Sequence, residues 1–138
     1  MGLAIQMAKA FFESKNLRVN QTDDGKALRI GMGGMKNLQQ TEVFVIFDDD
    51  DHSAAIRIFG FTQVAPEKYP VMYKVCSEMN KKFRWVKFYV NKDRNSINAE
   101  DDAKFEPETC GAEIFELVIR MLQIVDEAYP EFMKALWA

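Results

Sequence analysis

The chain has 138 residues, 48% of them hydrophobic and 28% charged, which suits one folded domain over residues 1–138 and excludes a disordered chain. A domain of this length buries about two thirds of the surface its unfolded chain exposes, so no disulfide or metal staple is required. The net charge is −3 with acids and bases interspersed, which argues against a nucleic-acid binder with its basic face, and no apolar run reaches the roughly 18 residues of a membrane span.

Leu3 to Ser14 carries Leu3, Met7 and Phe11, with Ala8 and Phe12, at helical spacing, so an amphipathic helix with that core-facing stripe is expected. Gln6 and Lys9 interrupt the apolar residues of Met1 to Phe12, no cationic segment precedes them and no small-residue cleavage site follows, so this stretch is not expected to be a leader. Gln6 also stands where N-myristoylation after Met-Gly wants Ser or Thr. Lys15 and Asn16 end the helix, Asn16 suiting a left-handed residue.

Leu17 to Gln21 alternates as a half-buried strand, Asp23-Asp24-Gly25 signals a turn, and Leu28, Ile30 and Met32 mark a second strand. Gly33-Gly34 opens a loop to Gln40 whose Met35 and Leu38 can tuck inward. Thr41 to Phe47 and Ala54 to Phe61 are β-branched and aromatic runs joined by the polar tip Asp48 to Ser53, which together predict a hairpin in the middle of a sheet. Their alternation points Val43, Val45, Phe47, Ile56 and Ile58 to one side. It points Phe44, Ile46, Ala55, Arg57, Phe59 and Phe61 to the other, so both faces are partly apolar.

Pro66 or Pro70 can open the next helix, whose stripe is Met72, Val75, Cys76, Met79 and Phe83. Trp85 to Val90 predicts a strand, Lys92 to Asn95 turns the chain, and Ser96 to Asp101 returns it with Ile97 and Ala99 inward. Lys104 to Glu108 is a loop, and Thr109 can N-cap the last long helix. Ile114, Leu117, Val118 and Met121 are its expected core, Pro130 is expected to break or kink it, and Glu131 to Ala138 to form a short tail. The fold class is therefore α+β, an antiparallel sheet with helices packed on it in the order α-β-β-β-β-α-β-β-α.

Three patterns carry a family resemblance. Leu17-Arg18-Val19 is followed by Asp23-Asp24-Gly25 and Leu28-Arg29-Ile30. Val75-Cys76-Ser77-Glu78-Met79-Asn80 leads to Phe83-Arg84-Trp85-Val86-Lys87-Phe88-Tyr89-Val90. A long apolar helix follows an acidic strand and ends near Tyr129. In these, and in the order of its elements, nearly the whole chain resembles the YbjN family of bacterial sensory transduction regulators. Those proteins are similar in fold to the small type III secretion chaperones. The resemblance implies a chaperone-like fold, a non-enzymatic regulatory or protein-binding role, no catalytic residues, and pairing of two subunits.

The candidate chemistry is sparse. Asp48 to Asp51 offers oxygen ligands but lacks the spacing that wraps a loop around calcium, so a solvated turn is expected there. His52 is the only histidine, so it and two distant cysteines do not make a zinc site. Cys76 and Cys110 read as free buried thiols of a reducing cytosol, a disulfide being the alternative. Cys110, in the first turn of its helix, is expected to be the more reactive. Gly31-Met32-Gly33-Gly34 matches no phosphate-cradling motif. Glu100, Asp101, Asp102 and Glu106 read as surface charge.

No catalytic, cofactor or metal site is expected. The expected function is a cytoplasmic module that holds a protein partner, a client segment or a second copy on Phe44, Ile46, Arg57, Phe59 and Phe61, without nucleic acid or membrane. The alternative is an enzyme of unrecognised type with a small polar pocket.

Overall fold

In a computed structural model, residues 2–138 are described; the reading of the Met-Gly start involves Met1, which lies outside them. The chain folds as α1 (Leu3–Ser14), β1 (Arg18–Gln21), β2 (Ala27–Gly33), β3 (Gln40–Phe47), β4 (Ser53–Gln63), α2 (Tyr69–Lys82), β5 (Lys87–Asn91), β6 (Ser96–Lys104) and α3 (Cys110–Trp137). The strands form one antiparallel sheet in the order β1-β2-β3-β4-β6-β5, with the β3–β4 hairpin at its centre. This is the expected α+β fold in the expected order.

Local chemistry sets the turns. Asn16 is left-handed at φ 62°. The Asn16 N–H donates to Glu13 O and the Leu17 N–H to Phe12 O, the paired bonds that close a helix C-terminus and send the chain into β1. Gly25 at φ 74° makes the β1–β2 turn. A 3-10 turn at Pro66–Lys68 leads into α2 and Pro70 occupies its first turn, so both prolines serve as starts. Trp85 is left-handed at φ 66° and exposed, so β5 begins two residues later than the pattern suggested.

One apolar cluster joins the sheet to the helices. Leu28, Ile30, Val43, Val45, Ile56, Ile58, Ile97 and Ala99 face it from the sheet; Ile5, Phe12, Met72, Met79, Ile114, Val118, Met121 and Phe132 face it from the helices. Both α1 and α2 pack against α3, so the helices share one side of the sheet. The inward stripe of α1 is Ala4, Ile5, Ala8 and Phe12, whereas Leu3 and Met7 are exposed. The cause is close helix packing: Gly111 on α3 meets Phe11 and the Met7 carbonyl of α1, where an added Cβ would lie 2.6 Å from Phe11 Cβ. Leu117 is half-buried, flanking the Ile114, Val118 and Met121 stripe instead of joining it.

α3 runs unbroken through Pro130, and the expected separate tail is its last turns. Proline at this position removes the N–H that would bond to Asp126 O. That carbonyl instead accepts from Asn37 Nδ2 at 2.9 Å, while Asp126 Oδ1 accepts the Asn37 and Leu38 N–H groups at 2.7 Å each. The β2–β3 loop is thus bonded to α3 where the helix loses a bond of its own, and Leu38 is buried as expected.

Phe132 is fully buried, with ring centroids 5.3 Å from both Phe61 and Phe88. Phe132→Ala should lower stability by about 3–5 kcal/mol, and Leu117→Ala by clearly less. Urea denaturation of the two variants checks the order; equal losses would contradict this packing.

Candidate functional site

The sheet face away from the helices is open. Register sets a row across all six strands, Asn20, Arg29, Phe44, Arg57, Glu100 and Lys87. Phe44 and Phe59 meet edge to face with centroids 5.3 Å apart, and Phe59 is 48% exposed. The Arg29 guanidinium lies 5.6 Å from the Phe44 ring centre and makes two 2.9 Å bonds to the Glu42 carboxylate, which raises its pKa. Ile46 and Ala55 lie half-buried beside the rings. The patch is therefore a small aromatic and aliphatic centre with a charged rim, the composition protein interfaces favour.

Two expected members of this surface differ. Phe61 is on the helix side, in ring contact with Phe88, Tyr129 and Phe132. The strand alternation fails because β4 bulges: the ladder to β6 runs from Ile58↔Ala99 to Thr62↔Ile97, so Phe59–Phe61 stand opposite Asn98 alone. Gly60 takes φ 60° there and its N–H donates to Asn98 Oδ1 at 2.8 Å. A glycine inside a strand pattern was the sequence signal for this. Arg57 does lie on the open face, but its guanidinium is committed within the chain to Ile56 O, Asp101 O, Asp102 and Glu100. It braces the patch and is not a free anchor.

The aspartate tip is structural. Asp51 Oδ2 and Oδ1 accept the Leu3 and Ala4 N–H groups at 3.1 and 3.0 Å, capping α1 from 47 and 48 residues away. Asp48 and Asp50 accept the Ser53 hydroxyl, and Asp50 also accepts the His52 N–H, which lowers its pKa. His52 Nδ1 lies 3.2 Å from Phe105 O and 3.6 Å from Glu106. Among the described residues no group of three or more His, Cys, Asp and Glu side chains is placed to hold a metal ion.

The other candidates are dispersed. Glu100 and Asp102 point to the open face with Arg57, while Asp101 is opposite the fully buried Ile56. Burial raises the Asp101 carboxyl above its ordinary value, opposed by the bond from the Asp102 N–H. Both thiols are free and buried. Burial raises each to about 11, and Cys110 donates to Ala4 O at 3.3 Å. The greater reactivity expected of Cys110 is therefore not favoured: its thiol is buried against α1, and burial disfavours the thiolate at both cysteines. Gly31 and Gly33 belong to β2, and only Gly34, at φ 80°, is outside it. An apolar hollow of about 440 Å³ beside the end of α3 is lined by Tyr129, Met133 and Trp137, the last 85% exposed. Among the described residues no helix is long and apolar enough to cross a membrane.

The model of the family YbjN, "Putative bacterial sensory transduction regulator", matches residues 5–134. No curated protein matches the sequence. Among solved structures the chain is similar to "YbjN, a putative transcription regulator from E. coli", with a TM-score of 0.67 at 10% identity over 90% of this chain and 87% of that one. At that identity the likeness is one of fold.

Asp51→Ala should cost about 0.5–2 kcal/mol through loss of the α1 cap, whereas Asp49→Ala, exposed at the same tip, should stay within about 0.5 kcal/mol. Thermal denaturation of both variants checks the contrast, and equal effects would refute the cap. In mildly alkaline solution neither thiol of the native protein should react with Ellman's reagent on the timescale at which the denatured chain releases both. Rapid native labelling of Cys110 would contradict its burial.

Proposed function

Since the chain belongs to the YbjN family, we propose that it is a non-enzymatic regulatory module that binds a protein partner on the open sheet face through Phe44, Ile46 and Phe59. One observation carries this reading. The exposed Phe59 meets the half-buried Phe44 edge to face at the centre of a sheet whose helices are all on the other side. Aromatic side chains in such positions are the usual anchors of binding energy. Arg29 with Glu42, and Arg57 with Glu100 and Asp102, give the patch a rim of paired charges.

The partner class follows from charge. A net charge of −3 and carboxylates alternating with the open-face cations do not suit a phosphate backbone. They suit a protein surface with its own mixed rim, and a second copy of the chain is the first candidate. Residues 1–138 act in this reading as one domain. The buried free thiols fit a reducing cytoplasm. An enzyme has less support: the groups with strongly raised pKa values, Cys76 and Cys110, sit in the apolar core, whereas His52 is exposed at the hairpin tip.

Sedimentation velocity of the wild type and of Phe59→Asp, with crosslinking in the presence of cell extract, tests the surface. A self-associating wild type, or one crosslinked to a distinct protein, that loses this in Phe59→Asp supports the reading. Association unchanged by Phe59→Asp and by Phe44→Asp would sink it.

A further inference from the structure

The bulge in β4 opens a second feature beside Phe59. Phe59, Gln63, Asn91, Arg94, Ser96 and Asn98 line a cleft of about 500 Å³ on the open face. Its floor comes from β6, where Ser96 and Asn98 are each only 1% exposed and are the buried polar residues of the described chain.

Asn98 is satisfied at both ends: its Oδ1 takes the Gly60 N–H and its Nδ2 donates to Tyr89 Oη at 2.9 Å. Ser96 is different. Its hydroxyl makes no hydrogen bond to any described residue. No sealed polar side-chain atom among those residues lacks a partner, so the Ser96 oxygen keeps its contact with the outside, and the cleft is where it opens. That nearly buried hydroxyl therefore takes its hydrogen-bond partner from the cleft.

The walls indicate what that partner is. Arg94 makes no ion pair with a described residue, and the Gln63 side chain is likewise uncommitted. Asn91 accepts the Asp93 N–H on Oδ1, leaving its Nδ2 donors free. No carboxylate lines the cleft. A guanidinium, two amides and a hydroxyl therefore line one cleft with an excess of donors, which suits an anion. The exposed Phe59 ring supplies an apolar wall on one side.

We propose that this cleft binds a small organic anion, a carboxylate or phosphate group attached to a compact apolar body, with Arg94 and Ser96 holding the anionic group and Phe59 flanking the apolar body. The volume suits a molecule of about the size of a single aromatic ring with its substituent. The site adjoins the proposed partner surface at Phe59 and does not depend on it, because the residues that hold the anion are outside the Phe44 and Ile46 patch.

Titration of the ¹⁵N-labelled chain with benzoate, phenyl phosphate and uncharged benzyl alcohol, followed by amide chemical shifts, tests this. Saturable shifts at Phe59, Gly60, Ser96 and Asn98 are expected at millimolar benzoate or phenyl phosphate, and not with benzyl alcohol. The anion that saturates first identifies the headgroup. Arg94→Gln and Ser96→Ala, whose unperturbed spectra elsewhere show that they fold, should each weaken binding on the order of tenfold, as expected for loss of a charge-assisted bond. No saturable shift in this group with either anion overturns the proposal, as does equal saturation in both variants. Equal shifts with benzyl alcohol also overturn it, because they show an apolar site only.

Discussion

Gly111 decides how this molecule is assembled. At that point α1 and α3 pass so closely that a methyl group would lie 2.6 Å from Phe11 Cβ and 3.3 Å from Met7 O. The contact brings the α1 backbone within reach of the Cys110 thiol, which donates to Ala4 O. It turns Ala4 and Ala8 inward in place of the larger Leu3 and Met7. The position of α1 is then held at its start by Asp51 from the β3–β4 tip and at its end by the Asn16 turn into β1. One helix is thereby tied to the longest helix, to the central hairpin and to the first strand. With the helices committed to that side, the other sheet face is left to solvent.

What the sequence made legible follows from period. Strand alternation placed Val43, Val45, Ile56 and Ile58 in the core, and helical spacing placed Met72, Val75, Cys76 and Met79 there, because burial of apolar area dominates at those positions. Side-chain size misled on α1, where closeness of backbones outweighed the gain from burying Leu3 and Met7. Pro130 misled because its effect is offset from another part of the chain: Asn37, 89 residues from Asp126, takes the carbonyl that proline leaves free. The same is true of Asp51, whose role as a cap arises only once the hairpin tip meets α1. Such long-range bonds leave no local trace.

The open face was only partly legible. Phe44, Ile46, Arg57 and Phe59 are where alternation puts them. Alternation counts every residue once, so it cannot follow a strand that sets three residues against one, and Phe61 is lost to the core at that bulge. Nor does it reveal that Arg57 is occupied: a guanidinium with two backbone carbonyls and two carboxylates around it braces β4 against β6. What remains is a narrower patch than the sequence suggested, centred on two rings.

The bulge has consequences for both surfaces at once. It moves Phe61 to the helix side, where that ring joins Phe88 and Phe132, and so extends the core at the end of α3. The same extra residues break the β4–β6 ladder over Asn98 and leave room between Phe59 and the β5–β6 turn. An apolar residue at 98 would leave the Gly60 N–H without its partner, so the asparagine is explained by the bulge itself. Ser96 is not explained in that way. Its hydroxyl supports no turn and caps no strand within the described chain; an alanine would fill the same place against Gly60, whose hypothetical Cβ already stands 3.6 Å from Ser96 Cβ. The fold therefore requires one of the two buried polar residues under the cleft and not the other. It is the residue the fold does not require that shares the cleft with the uncommitted Arg94.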